Sequence, residues 1–332
     1  MTFLVWHIAR TSDCVQVSQS KEDDSHLSSN VNVRQWIQPW QMAVSMTICA
    51  YIWLCSVTHT LKLHHWFLLV VIPLSFIATD RGKQFFTDWW PLFAFWFVYD
   101  RLRLIQPFLL DRVAVDWPFR LESFLFGWMA GGDVPAHAWR AWLAAISGNI
   151  TGVLISDLAQ FVYLSHLFVL PLLLFYYWIG GNRREQDRKL FIRHIRAFTF
   201  LHFAGMLIYV TLPAAPPWWI SLNGLAQPTT ELVARTSMTT AMDGKIVQGL
   251  IKSASMWFAA IPSLHGAYPV LLALLAWRSR NRSMTIVWIV YTILMFATTV
   301  ILNQHYIIDL FAGALLAVAA CWFGCRKQIA QE

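Results

Sequence analysis

The chain has 332 residues, of which 57% are hydrophobic and 13% charged, with a net charge of +7 and a mean hydropathy of +0.49. Soluble domains carry about 25% charged residues, so the deficit excludes an ordinary globular protein and points to surface that faces lipid. The 19 Trp agree, because indole favours the membrane interface. The basic residues cluster in short loops between apolar runs, which is a topology signal and not a nucleic-acid surface.

Residues 1–10 carry an apolar patch too short for a secretory signal. Residues 11–32 are polar and Ser-rich, so 1–35 reads as a disordered cytoplasmic tail and 36–332 as one membrane-embedded domain without internal repeats. A span needs about 20 mostly apolar residues. In chain order the candidates are 41–58, 66–79, 85–99, 158–179, 195–212, 261–277, 284–302 and 306–323, so the expected fold is an all-α, polytopic bundle of about eight spans. The second and third are short enough to form a re-entrant pair instead. Between the third and fourth, segments 102–115 and 135–150 mix apolar and charged residues at helical spacing. They read either as interfacial helices on the outer membrane surface or as a plain folded loop. Cys49, Cys55, Cys321 and Cys325 lie in or beside apolar segments, where Cys behaves as a small hydrophobe, and no metal-ligand spacing is present.

Orientation follows from four basic groups. Arg183, Arg184, Arg188, Lys189 and Arg193 sit between the fourth and fifth spans, and Arg278, Arg280 and Arg282 between the sixth and seventh. Arg326 and Lys327 follow the eighth, and Arg81 and Lys83 separate the two short spans. With eight spans all four fall on one side, which the positive-inside rule makes cytoplasmic, together with both termini. The opposite face then carries 100–157, 213–260 and the turn at 303–305.

Three stretches on that non-cytoplasmic face carry chemistry. His305 and Asp309 are four apart, so if a helix begins near His305 they share one face, and the carboxylate can fix one imidazole nitrogen and leave the other free to attack. Read alone, the two residues are equally a structural pair. His265 follows Pro262 and Ser263 at a helix start, where free N–H groups and the dipole suit a phosphate and a His can act as acid and then base. The third stretch, Pro213 to Trp219, most simply ends a helix. Alternatively Pro216, Pro217 and Trp218 shape the floor of a polar pocket.

These residues resemble the type 2 phosphatidic acid phosphatase superfamily. Pro262-Ser263-Leu264-His265 is similar to its second motif and His305-x-x-x-Asp309 to its third, and the resemblance covers 195–323 well and 85–130 loosely. The Leu before His265 and the upstream Pro-Pro-Trp are most similar to the branch of inositol phosphorylceramide synthases and inositol phosphotransferases. The resemblance implies a six-helix phosphatase-like core. It makes His305 the nucleophile that forms a phosphohistidine, Asp309 its orienting group, and His265 the general acid and then base. No metal or other cofactor enters that scheme. The family's Lys and Arg-Pro first motif is absent, and Thr298 and Thr299 stand where Ser-Arg usually precedes the third. Oxyanions need cationic partners. Arg101 and Arg103 are the candidates for the phosphate, with Lys245 and Lys252 next and Ser263 beside the site; each cation also fits a snorkelling role at the interface.

The function expected is transfer of a phospho-alcohol head group, inositol-phosphate-like, from a phospholipid to a lipid or sugar acceptor. The alternative is a lipid phosphate phosphatase with water as acceptor. A non-catalytic channel or scaffold needs no two His on one face, and a vanadate-dependent halide oxidase would be soluble with a full set of cations. The expected partners are membrane lipids and the bilayer, not nucleic acid.

Overall fold

The computed structural model describes residues 39–58, 61, 65, 68–71, 80–181, 184–236 and 255–329. Among these the regular structure is helical, with no strand beyond two isolated bridges. The expected tail, most of 66–79, and Lys245 and Lys252 lie outside the described residues. The chain divides into two units, before and after Ala78. The first contributes α1 (Pro39–Val57), an apolar helix in which Ile48, Tyr51 and Cys55 are buried.

The second unit holds the remaining helices: α2 (Asp80–Ile105), α3 (Asp116–Phe126), α4 (Pro135–Ile146), α5 (Ile150–Gly181), α6 (Glu185–Thr211), α7 (Pro217–Asn223), α8 (Thr230–Arg235), α9 (Leu264–Arg278), α10 (Arg282–Ile301) and α11 (Ile307–Ile329). Among the described residues four helices are long and apolar enough to cross a membrane: α1, α5, α10 and α11 over Ile307–Arg326. They contain the expected span 158–179 and nearly all of 41–58, 284–302 and 306–323. The stretch 85–99 and nearly all of 195–212 and 261–277 are helical within α2, α6 and α9, but those helices are too polar or too short to meet the same standard.

Their sequences explain the difference. On α5 the large exposed side chains include Phe161, Phe168, Leu172 and Tyr176, an inside-out pattern that lipid accommodates and water does not. In contrast α6 lies at the centre, against α2, α5, α9 and α11, and buries Phe191, Phe198, Leu201 and Met206. Its charged first turns are matched by partners. Arg188 pairs with Asp88 of α2, whose carboxylate also accepts from the Trp178 indole of α5 at 2.9 Å. Arg193 donates to Ser279 Oγ at the end of α9 at 3.2 Å. Ionisable groups within such a bundle are costly unless paired.

Lipid offers no hydrophobic drive between helices, so close fit has to hold them together. Small residues provide it. A Cβ on Gly266 of α9 would lie 2.9 Å from the Leu310 side chain of α11, and one on Gly313 of α11 would lie 2.2 Å from the Ser263 carbonyl oxygen. Ser263 caps α9 by accepting from the Gly266 N–H at 3.2 Å, as its place before the first turn predicts.

The segment between α2 and α5 differs from expectation. Residues 106–112 form a short 3₁₀ turn and not part of a longer helix over 102–115, while α3 occupies 116–126, to which the sequence reading gave no element. Pro107 fits the first turn of the 3₁₀ helix, and Asp116 in the first turn of α3 suits that helix's dipole. The second interfacial candidate, 135–150, is a helix over 135–146 started by Pro135. Both α3 and α4 are amphipathic. Phe124 and Trp128 are about four-fifths exposed, while Glu122 and Ala136 are fully buried.

Candidate active site

The end of α6, the starts of α7, α9 and α11, and three extended stretches converge at one end of the second unit. The extended stretches pin one another. The Ala114 N–H donates to the Pro213 carbonyl at 2.8 Å, Ala215 donates back to Ala114 at 2.9 Å, and Ala214 donates to Phe258 at 2.9 Å. The Pro-rich stretch is thus the middle member of a three-stranded clip, because Pro ends α6 and leaves the following backbone groups free for such partners. On its far side, 258–260 leads directly into Pro262-Ser263-Leu264-His265. Tyr209 of α6 fixes that lead-in by donating to the Pro262 carbonyl at 2.8 Å.

The clip brings the two histidines together although 40 residues separate them. Nδ1 of His265 lies 3.0 Å from Nε2 of His305. Nδ1 of His305 lies 3.3 Å from Oδ2 of Asp309, and the same oxygen accepts the Tyr306 N–H at 2.9 Å. Asp309 is fully buried, and His305 is 6% exposed. The Ser263 N–H donates to the Asp309 carbonyl at 2.9 Å, so α9 and α11 share a bond at the level of the imidazoles. If Asp309 accepts from Nδ1–H of His305, then His305 Nε2 carries the lone pair and accepts from His265. That tautomer presents a nucleophilic nitrogen, with a proton donor beside it.

The other expected site residues fall as follows. Ser263 is buried and its Oγ is the cap of α9. The Trp218 N–H donates to the Asn303 carbonyl at 3.1 Å, and the Pro217 carbonyl lies 3.1 Å from His137 Nε2, so the Pro-rich stretch braces the loop that presents His305. Pro216 is the N-terminal cap residue of α7. Trp218, Asn303, Ser221, His137 and Arg140 line a cavity of about 230 Å³. Arg101 and Arg103 both engage the Asp100 carboxylate, and Arg103 also reaches Ser255 Oγ at 3.1 Å. Arg103 thereby ties the Asp100 carboxylate to the start of 255–260, the lead-in to His265.

The sequence reading missed three residues. Tyr163 stacks on the His265 ring, with centroids 4.6 Å apart, and His166 meets it edge-on at 4.4 Å. Both come from α5, one turn apart. A His and a Tyr within an otherwise apolar span were the available signal, since polar groups at such positions are functional by default. The third is Glu122 of α3, whose carboxylate accepts the Ile307 and Ile308 N–H groups at 2.9 and 3.1 Å.

Residues 137–323, more than half of the chain, match the PAP2 superfamily. The chain belongs to that superfamily. Among curated proteins it is similar to the inositol phosphorylceramide synthase of Candida albicans, at 25% identity over 81% of this chain and 60% of the relative. It is also similar to the phosphoinositol dihydroceramide synthase of Bacteroides thetaiotaomicron, at 24% identity over 85% of this chain and 90% of the relative. A match to the inositol phosphorylceramide synthase catalytic subunit of Schizosaccharomyces pombe is 26% identical over 41% of this chain and 33% of the relative. The chain therefore spans about three fifths of the Candida protein and most of the Bacteroides one. No solved structure matches it. This PAP2 chain, like the relatives' names, is consistent with the inositol phosphorylceramide synthase branch that the Leu264 and Pro-Pro-Trp features resemble. In the PAP2 match, α5 supplies Tyr163 and His166, and α9 and α11 supply the histidine pair.

Proposed function

We propose that the protein is a membrane phosphotransferase that moves a phospho-alcohol head group, inositol phosphate by similarity to its relatives, from a phospholipid to a lipid or sugar acceptor. The observation that carries this reading is the line Asp309–His305–His265, with spacings of 3.3 and 3.0 Å. In the first half-reaction His305 Nε2 forms a bond to phosphorus while the bond from phosphorus to the lipid oxygen breaks, and His265 gives that oxygen its proton. In the second, the acceptor oxygen bonds phosphorus, the nitrogen–phosphorus bond breaks, and His265 takes the acceptor's proton. Arg101 and Arg103 offset the charge on the phosphoryl oxygens. The scheme calls on no metal.

The same reading places the chain as an eight-span protein with both termini in the cytoplasm and the histidine pair on the other face. Helix polarity supports it. Arg188, near the start of α6, and the clip that follows its end are roughly 35 Å apart at 1.5 Å per residue. The basic groups at 184–193, 278–282 and 326 therefore gather at the end of the bundle away from His305. Exposed Phe124 and Trp128 of the 116–130 segment suit the interface beside the site.

The test is a reconstituted assay with phosphatidylinositol as donor and ceramide or dihydroceramide as acceptor, read by mass spectrometry. The expected product is a phosphoinositol sphingolipid, absent with His305→Ala. Release of free inositol phosphate with acceptor present would favour the phosphatase reading, in which water takes the acceptor's place. Full turnover by His305→Ala would overturn both.

A further inference from the structure

Glu122 belongs to none of the motifs, yet it is fully buried and lies 185 residues before the helix it touches. Its two oxygens accept one N–H each from Ile307 and Ile308, the first two residues of α11. The next amide back, Tyr306, donates to Asp309. Three successive amides at the start of α11 are therefore taken by two carboxylates. A helix start leaves such N–H groups unsatisfied and attracts negative charge, so the arrangement is favourable to the helix. It has two consequences. The Tyr306, Ile307 and Ile308 amides are therefore not available to a substrate phosphate. In addition, the turn bearing His305 and Asp309 is gripped from α3, outside the bundle of long helices.

A cap alone does not require a buried carboxylate, since Ser, Thr or Asn on the helix's own chain serves as well. Placing a second anion near Asp309 carries a repulsive cost. What the carboxylate adds is a two-pronged grip that fixes both the rotation and the height of the first turn. We infer that Glu122 is a positioning residue for the His305–Asp309 pair, holding the turn so that Nδ1 of His305 stays on Asp309 and Nε2 stays aimed at phosphorus. The inference rests on the proposed role of His305.

The experiment uses the full chain in proteoliposomes with phosphatidylinositol as donor, and measures Glu122→Gln, Glu122→Ala, Asp309→Asn and the double variant Glu122→Gln/Asp309→Asn. Gln keeps one acceptor oxygen but turns an NH₂ toward the other amide. A displacement of about 1 Å can cost roughly 10²-fold in rate. Glu122→Gln should thus lower kcat by about 10- to 100-fold with the KM for donor within about twofold. Residues that act through one another are non-additive. In the Asp309→Asn background the same change should cost less than about threefold, because the ring is already misoriented. A purely structural role would instead give penalties that multiply, and that result overturns the inference. So does wild-type kcat in Glu122→Gln. If Glu122→Ala does not fold, the Gln series alone decides. His305→Ala is run alongside. Turnover by that variant removes the nucleophile, and the role of Glu122 falls with it. An inactive His305→Ala beside a fully active Glu122→Gln removes only the positioning role.

Discussion

Nδ1 of His265 and Nε2 of His305 face each other at 3.0 Å, the distance of a hydrogen bond. A tetrahedral phosphorus with its oxygens cannot occupy that gap. The proposed reaction therefore has the substrate part the two rings and lie between them, with His305 on one side of phosphorus and the departing oxygen, within reach of His265, on the other. Tyr163 stacks on the His265 ring and His166 meets its edge, so rotation of His265 is guided by α5.

In the proposed mechanism His265 acts on the leaving oxygen and not on phosphorus. His265→Ala should slow the reaction by about 10²- to 10⁴-fold with a lipid alcohol as leaving group. With a nitrophenyl phosphodiester the loss should shrink to within about tenfold, because a good leaving group needs little protonation. Burst kinetics with both donors measure this. An equal loss with both would make His265 a structural residue.

The arginine cluster makes a prediction about charge. Arg101 and Arg103 share the Asp100 carboxylate, and Arg103 also holds Ser255. Arg103→Ala should cost about 10²–10³ in kcat if its guanidinium meets the phosphoryl oxygens in the transition state. Asp100→Asn raises the net charge of the cluster by one, and should lower the donor's KM. Near wild-type turnover in both Arg101→Ala and Arg103→Ala would pass the phosphate to Lys245 and Lys252.

The sequence made the histidine pair legible because its two motifs sit at the ends of apolar runs, although His305 lies in the turn just before α11 begins at Ile307 and reaches Asp309 across its first turn. It also made the lipid-facing helices legible, since an inside-out apolar pattern such as that of α5 leaves a strong compositional trace. Glu122 was not legible. Its role depends on a contact across 185 residues, and α3 is too short and too mixed in composition to announce itself. Tyr163 and His166 were hidden differently. They lie inside a run whose apolarity drew attention to lipid and away from the one face that turns inward. The clip of 113–115, 213–215 and 258–260 leaves no periodic signal at all, being three short extended pieces joined by backbone bonds.

Gly313 tests the close contact that joins α9 and α11. The Ser263 carbonyl oxygen would be 2.2 Å from an added Cβ, and backbone cannot yield as a side-chain tip does. Gly313→Ala should separate the two helices at the level of the site, at an overpacking cost of about 1–3 kcal/mol. The expected outcome is a lower unfolding temperature in detergent, together with a kcat loss of about 10²-fold from misplacement of His265. A variant with unchanged activity and midpoint would refute the close approach.

Glu122 also gives stability a pH dependence. Burial pushes its carboxyl up from 4.5 to about 7, the Ile307 and Ile308 N–H groups pull it down, and Asp309 pushes it up again. The Asp133 carboxylate and Tyr306 are the other titratable groups on this side of α11. Between 4.5 and about 7 the folded state holds a proton on Glu122 that the unfolded chain has released. Stability from this group is thus fully present below 4.5, is lost as pH rises toward about 7, and changes no further above it. Thermal unfolding in detergent at a series of pH values should show the midpoint falling through that window. Glu122→Gln should remove this component, and an unchanged slope in the variant would assign the dependence elsewhere.

Finally, the orientation of the site is open to direct measurement. Thr230 is exposed and begins α8, between the Pro-rich stretch and the lead-in to His265. In the proposed topology the basic groups lie at the opposite, cytoplasmic end of the bundle, as the positive-inside rule expects. A Thr230→Cys variant on a background without native Cys should therefore react with a membrane-impermeant maleimide in intact cells. A cysteine at position 280, in the turn between α9 and α10, should react only after permeabilisation. The pair matters because each reports the other's compartment, so incomplete sealing of the cells cannot imitate the result. Reversed labelling would turn the whole bundle over. The histidine pair would then meet lipids of the cytoplasmic leaflet, and the acceptor would have to be sought there.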